Sequence, residues 1–244
     1  SKANPARLKE LQGAVLVSRP ENGELIAAVG STGSFTGFNC TVDAKRQVGS
    51  LLKPVIYLSA LESGRYTWAS SVEDNPISIA IEGNKSWTPK NYSGSGNGYV
   101  PMVQALANSY NLSAVRLGQE FGLSTFSNQL IKLGVKSKVP SYPSIFLGAV
   151  NMSPMEAMSI YGNFATGGFS YPTKSIRTVV DSTGRVLDRY NLNVQQTIDP
   201  SSAYLLNYGL QRVMSSGTGK SAYNSLPTNL NLAGKSGATN DTRD

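Results

Sequence analysis

The chain has 244 residues, enough for one large domain or two small ones, and its 40% apolar against 15% charged content favours a folded core over disorder. It contains no histidine and one cysteine, Cys40, which excludes His-based triads, His- or Cys-built metal sites and an intrachain disulfide. Lys and Arg number 22 against 15 Asp and Glu, a surplus of 7, but the densest basic group (Lys132, Lys136, Lys138) has no interleaved aromatics, which argues against a nucleic-acid partner.

In chain order, Ser1 to Gln12 carries charges without an apolar stretch, so it is not a signal peptide and reads as a linker, the tail of something longer. Residues 13–30 form a predicted hairpin around Asn22-Gly23, followed by a Gly/Ser/Thr-rich connection to about Phe38. Residues 47–64 read as a buried helix, with Leu51, Leu52, Val55, Ile56, Leu58 and Leu61 apolar and Pro54 near its start. A polar, glycine-rich loop at 83–99 carries Trp87 and Tyr92, and a helical pattern over 100–122 is interrupted at Asn108-Ser109. Helices are predicted at 125–134, at 153–168 with Ser153 as cap and Pro154 first, and at 201–214. A second hairpin is predicted at 176–190 and a strand at 230–239. The order of elements gives an α+β or α/β fold in which sequence-distant strands pair and helices flank the sheet. No apolar run reaches the roughly 18 residues of a membrane-spanning helix.

With no histidine, acyl transfer here needs another base. Ser50-Leu51-Leu52-Lys53 is the only SxxK, and i and i+3 share a helix face, so hydroxyl and amine can meet. Desolvation and nearby cations can make such a lysine a base, and a helix start favours an oxyanion. Ser109-Tyr110-Asn111 supplies SxN where a helix breaks; a second SxN, Ser95-Gly96-Asn97, reads as turn chemistry. Lys235-Ser236-Gly237 is the only K-[S/T]-G and lies on the predicted last strand. SxxK, SxN and K[S/T]G in this order are the signature of penicillin-binding proteins and serine β-lactamases.

The segments around these motifs are informative too. Arg46 to Pro54 resembles the nucleophile segment of class A, bifunctional penicillin-binding proteins, closest in flavour to type 1b of Gram-negative bacteria. Residues 147–168, 215–220 (SSGTGK) and the opening hairpin resemble further segments of that family, so the likeness runs from about Gly13 to Asp244. It implies an α+β transpeptidase domain at 13–244, with helices flanking an antiparallel sheet, that cross-links peptidoglycan stem peptides and is acylated by β-lactams. Ser50 would be the nucleophile and Lys53 its base, Ser109 a proton relay and Asn111 the holder of the substrate amide. Lys235 would supply charge, and Ser236, Gly237, Ala238 and Thr239 the substrate-binding edge. The oxyanion would sit between the N–H groups of Ser50 and Ala238. Tyr92, Trp87 and Tyr110 are candidates for lining the groove. No metal or cofactor is implied. A glycosyltransferase domain and a membrane anchor would lie outside this chain, at the periplasmic face of the inner membrane, and the final strands of the sheet would be missing.

One departure concerns Ala238, where the family commonly has Thr. Ser236 and Ala238 share a strand face and Thr239 the opposite one. A carboxylate-binding hydroxyl is therefore lost, and Ala238→Thr is expected to raise the acylation rate by a β-lactam; an unchanged rate would refute this. Rival functions share some motifs. A serine β-lactamase needs a carboxylate to position a deacylating water, yet Glu120 and Glu156 both lie in helical patterns. A penicillin-sensor domain would acylate once and signal. Residues 215–221 look like a phosphate loop but have Met214 where that pattern needs Gly.

Overall fold

The computed structural model describes residues 13–31 and 37–239. The linker read at 1–12 lies outside the described residues, as does the Asp244 end of the predicted domain.

The centre of the molecule is helix α1 (Lys53–Glu62), in which every residue from Lys53 to Leu61 is buried. A helix apolar on all sides belongs inside a core rather than on its surface. Around it pack α2 (Met102–Ala107), α3 (Asn111–Phe121), α4 (Leu123–Lys132) and α6 (Pro200–Ser216), with α5 (Pro154–Ala165) against α6. Trp68 stacks on Tyr57 of α1 at 6.2 Å and donates from Nε1 to the Leu205 carbonyl of α6 at 2.7 Å, joining the two helices. Phe126 and Phe146 meet edge to face at 5.5 Å on the other side of the core.

The predicted helix at 47–64 begins differently. Gly49–Leu52 is a 3₁₀ turn, and only from Lys53 is the helix α. Proline explains the switch: an α-type bond to the Ser50 carbonyl would have to come from residue 54, which has no N–H, so Lys53 N–H closes the turn instead. Ser153 caps α5 as expected, and Glu156 completes a capping box: Ser153 Oγ accepts from Glu156 N–H and the Glu156 carboxylate accepts from Ser153 N–H.

Strands are short. β1 (Val15–Arg19) and β2 (Glu24–Val29) make the opening hairpin, with Asn22 Oδ1 accepting from Glu24 N–H at 3.0 Å. The second predicted hairpin is also present, as β10 (Thr178–Val180) and β11 (Val186–Arg189). Distant strands do pair: β3 (Arg46–Gln47) with β8 (Asn151–Met152), β4 (Ser71–Glu73) with β7 (Tyr99–Pro101), and β9 (Phe169–Ser170) with β12 (Gln195–Gln196). β5 (Ile79–Ile81) pairs with β6 (Lys85–Trp87) inside the loop region. Among the described residues these ladders form six two-stranded antiparallel sheets rather than one continuous sheet.

The strand predicted at 230–239 is not one. The segment joins no ladder among the described residues, because no neighbouring strand offers it partners. It is fastened by single contacts, including Gly234 N–H to the Leu210 carbonyl at 3.3 Å.

Candidate active site

Three segments meet at the start of α1. The first is the turn that carries Ser50. Gly49 adopts φ +54° and lies so close to the 235–239 segment that a Cβ there would fall 2.3 Å from the Ala238 carbonyl oxygen. A Cβ on Gly237 would likewise fall 2.8 Å from the Val48 carbonyl oxygen. The two glycines let the backbone behind Lys235 lie directly across the Ser50 turn. The turn is pinned from two further sides, by Gly49 N–H to the Gly148 carbonyl at 3.2 Å and by the Tyr161 hydroxyl donating to the Leu51 carbonyl at 2.9 Å.

The second segment is the break between α2 and α3, which falls where the sequence pattern is interrupted. Tyr110 N–H donates to the Ala105 carbonyl and Ser109 N–H to the Leu106 carbonyl, both at 3.0 Å, a paired ending of the Schellman type. Its left-handed position, ordinarily glycine, is occupied by Ser109 at φ +58°. A side chain held there costs on the order of 1 kcal/mol. The break points Ser109 and Asn111 at Lys53.

The third is Lys235. Its Nζ donates to Ser109 Oγ at 2.9 Å and to the Ser236 carbonyl at 3.0 Å. Lys53 Nζ, fully buried, donates to Ser109 Oγ at 3.2 Å, to Asn111 Oδ1 at 2.6 Å and to the Ser109 carbonyl. One serine hydroxyl therefore sits between two lysine nitrogens. Burial first, and then the charge of Lys235, pull the Lys53 ammonium well below the ordinary lysine range, while Asp74 pushes the other way. Burial lowers Lys235 to about 8. Half-buried Ser50 precedes Lys53 by one turn, but the three donors of the ammonium are spent on Ser109 and Asn111 rather than on the Ser50 hydroxyl.

Sequence reading missed the support of this group. Asp74 is fully buried and accepts from Ser113 N–H and Oγ at 2.9 and 2.7 Å. Its other oxygen accepts from Asn91 Nδ2 and Asn97 Nδ2, each at 2.6 Å, and from Asn97 N–H at 3.2 Å. Asn91 Oδ1 in turn accepts from the N–H groups of Asn111 and Leu112 at 2.7 and 3.2 Å, capping α3, which has no side-chain cap of its own. The Asn97 of the discounted SxN is thus part of the scaffold. The only hint was the density of Asn, Gly and Ser in that loop, which reads as turn chemistry until Asp74 is placed behind it.

Other sequence candidates fall elsewhere. Trp87 and Tyr110 pack against the core, whereas Tyr92 stands fully exposed. Glu120 is engaged by Arg65 at 3.0 Å and by the Tyr66 hydroxyl at 2.5 Å. Glu156 accepts from Ser137 N–H and Oγ and from Lys136 N–H besides the capping box. Burial pushes its carboxyl up, but these donors outweigh burial and hold it below the ordinary range. Both glutamates are occupied structurally. The glycines of 215–221 end α6 instead of forming a phosphate loop, with Gly217 N–H donating to the Val213 carbonyl. No group of three or more acidic or Cys side chains that could hold a metal ion occurs among the described residues.

The fold and motifs find relatives. The family described as penicillin binding protein transpeptidase domain matches residues 13–243, and the chain belongs to it. Within that family its likeness is to class A proteins of types 1b and 1a. It is 36% identical to penicillin-binding protein 1B of Vibrio cholerae over 240 residues, which are 97% of this chain and 31% of the relative. Against penicillin-binding protein 1B of Escherichia coli it is 36% identical over 245 residues, 98% of this chain and 29% of the relative. The crystal structure of penicillin-binding protein 1A from Haemophilus influenzae superposes with a TM-score of 0.83 at 26% identity, over 88% of this chain and 38% of that one. The chain spans about a third of the length of these curated relatives.

Proposed function

We propose that this domain is a peptidoglycan D,D-transpeptidase working through an acyl-enzyme on Ser50. The observation that carries the reading is the Ser109 hydroxyl held between buried Lys53 and Lys235 at 3.2 and 2.9 Å, beside the turn that bears Ser50.

Ser50 Oγ attacks the carbonyl of the penultimate D-alanine of a donor stem peptide and its proton passes to neutral Lys53. A neutral amine has two N–H groups and a lone pair. It can hold Asn111 and the Ser109 carbonyl while the lone pair accepts a proton. The tetrahedral oxyanion faces the N–H groups of Ser50 and Ala238, which the close approach of Gly49 to Ala238 brings near each other. The C–N bond to the last D-alanine breaks, and the departing amine takes a proton from Lys53 through Ser109. The amine of a second stem peptide then attacks the ester and loses a proton along the same path. Ser50 leaves with its hydroxyl restored and the cross-link is made. A β-lactam follows the first half only: its ring C–N bond opens, but the amine stays tethered and no exchange follows. Glu120 and Glu156 are both engaged structurally, which leaves neither to position a hydrolytic water.

As part of the same reading, the domain works at the periplasmic face of the inner membrane. An anchor and a glycosyltransferase module then lie outside residues 1–244, joined through the linker at 1–12. The support is the resemblance to class A proteins.

Intact-mass measurement after exposure to benzylpenicillin tests the mechanism. The parent chain is expected to gain the mass of one penicillin, and Ser50→Ala to gain none. Penicillin consumed without a lasting adduct would mean a β-lactamase; an adduct that persists in Ser50→Ala would place the nucleophile elsewhere.

A further inference from the structure

We propose that Thr218 is a substrate-binding residue, forming with Ser236 a two-hydroxyl clamp for the terminal carboxylate of the donor peptide or of a β-lactam. The proposal rests on the acyl-transfer reading above and assigns a role to the SSGTGK stretch that the mechanism leaves unused.

Local structure explains how Thr218 reaches the site. α6 ends at Ser216, and buried Gly217 lies so close to the end of α2 that a Cβ there would fall 2.1 Å from the Ala107 carbonyl oxygen. The same carbonyl accepts from Thr218 N–H at 3.0 Å, and Gly219 N–H returns to the Val213 carbonyl at 3.0 Å. Thr218 is thereby fixed to Ala107, two residues before Ser109, by backbone alone. Its side chain stays exposed and free to face a ligand. Ser236 Oγ donates to Thr218 Oγ1 at 3.0 Å, and Ser236 directly follows Lys235, whose ammonium reaches Ser109. Lys235 thus ties the pair to Ser109, which Lys53 also reaches.

The chemistry follows from counting donors. Each hydroxyl has one proton and two lone pairs. In the resting pair the Ser236 proton is spent on Thr218, which leaves the Thr218 hydroxyl its own proton to donate. An arriving carboxylate accepts that proton directly, and rotation of the Ser236 hydroxyl gives its second oxygen a donor. One neutral hydrogen bond is exchanged for two charge-assisted ones, each roughly twice as strong as the bond lost. Lys235 stands beside the pair as the fixed positive charge. Ala238 offers no hydroxyl on the Ser236 side, so the second hydroxyl comes from a different element of the fold.

The test compares benzylpenicillin with its methyl ester, which lacks the negative charge. Second-order acylation rates of Ser50 are measured for the parent chain, Thr218→Val and Thr218→Ser. Thr218→Val keeps the shape and is expected to lose about 10-fold or more against the free acid, the size of one hydrogen bond to a charged group, and less than about twofold against the ester. Thr218→Ser is expected to keep the parent rate. Equal rates for Thr218→Val and parent, or equal losses on acid and ester, would overturn the assignment, the second by showing that the residue only supports the turn. If the parent chain forms no adduct with either compound, the acyl-transfer reading itself fails. An adduct in the parent that is indifferent to Thr218→Val removes Thr218 alone.

Discussion

Replacing Lys53 by methionine is expected to slow acylation of Ser50 by benzylpenicillin by about 10²–10⁴-fold, the usual contribution of a positioned general base. Methionine fills a similar apolar length, so the core around α1 stays occupied while the amine is lost. The pH profile carries the sharper signature. On the proposed mechanism Lys53 must be neutral to take the serine proton, so the rate is expected to rise as pH climbs through its lowered pKa. That rise comes at a lower pH than for an ordinary lysine, because burial and Lys235 disfavour the charged form. The same mechanism uses Lys235 as a cation, so the rate is expected to fall again above about 8. Both lysines touch the same Ser109 oxygen, and the two limbs belong to the coupled pair. Lys53→Met should abolish the rising limb; a variant that keeps it would remove Lys53 as the base. Stability offers an independent reading of the same group. Between the lowered folded pKa and the unfolded value of about 10.4, the unfolded chain binds more protons than the folded one. Stability of the parent therefore increases with pH through this window, in which Lys235 contributes from about 8 upward. Urea unfolding across it should show a shallower increase in Lys53→Met.

The largest expected loss of stability follows Asp74→Ala. Five donors end on this carboxylate: Ser113 N–H and Oγ, Asn97 N–H and Nδ2, and Asn91 Nδ2. Each buried donor left without an acceptor costs about 1–3 kcal/mol, and water entering the space left by the carboxylate recovers part of it. A net loss of about 3–5 kcal/mol is expected, read from the urea midpoint with the slope compared to exclude a change in cooperativity. The damage should also reach the chemistry. Asn91 is aimed by Asp74, and it holds the N–H groups of Asn111 and Leu112. Without it the start of α3 loosens, and with it the Asn111 oxygen that faces Lys53. A loss below about 1 kcal/mol would show that the donors find other partners.

Both residues bear on what a sequence can disclose. Lys53, Ser109, Asn111 and Lys235 were legible because they fall in three short motifs of fixed spacing and order. The Ser153 cap and the Asn22-Gly23 turn were legible because their partners lie within three residues. Asp74 was not, since its partners at Asn91, Asn97 and Ser113 lie 17, 23 and 39 residues away, and a lone Asp in a polar stretch resembles any surface carboxylate. The 3₁₀ start of α1 was hidden for a different reason. Apolar periodicity is blind to a missing N–H, and the consequence of Pro54 appears only when the bond to Ser50 is drawn. The misjudged strand at 230–239 shows the limit of pattern. Its residues suit an extended chain, but a strand exists only with a neighbour. Strands of two or three residues, such as β3 and β8, are too short for any alternation to register.

The backbone at Ser109 has a further consequence for anyone evolving this domain in the laboratory. A library screened for heat resistance alone would reward glycine at that position, since only glycine rests there without strain. Such a winner would have lost the hydroxyl that bridges the two lysines. On the proposed mechanism durability and turnover pull one codon in opposite directions, so a selection that does not also ask for acylation is expected to enrich for stable, inert protein.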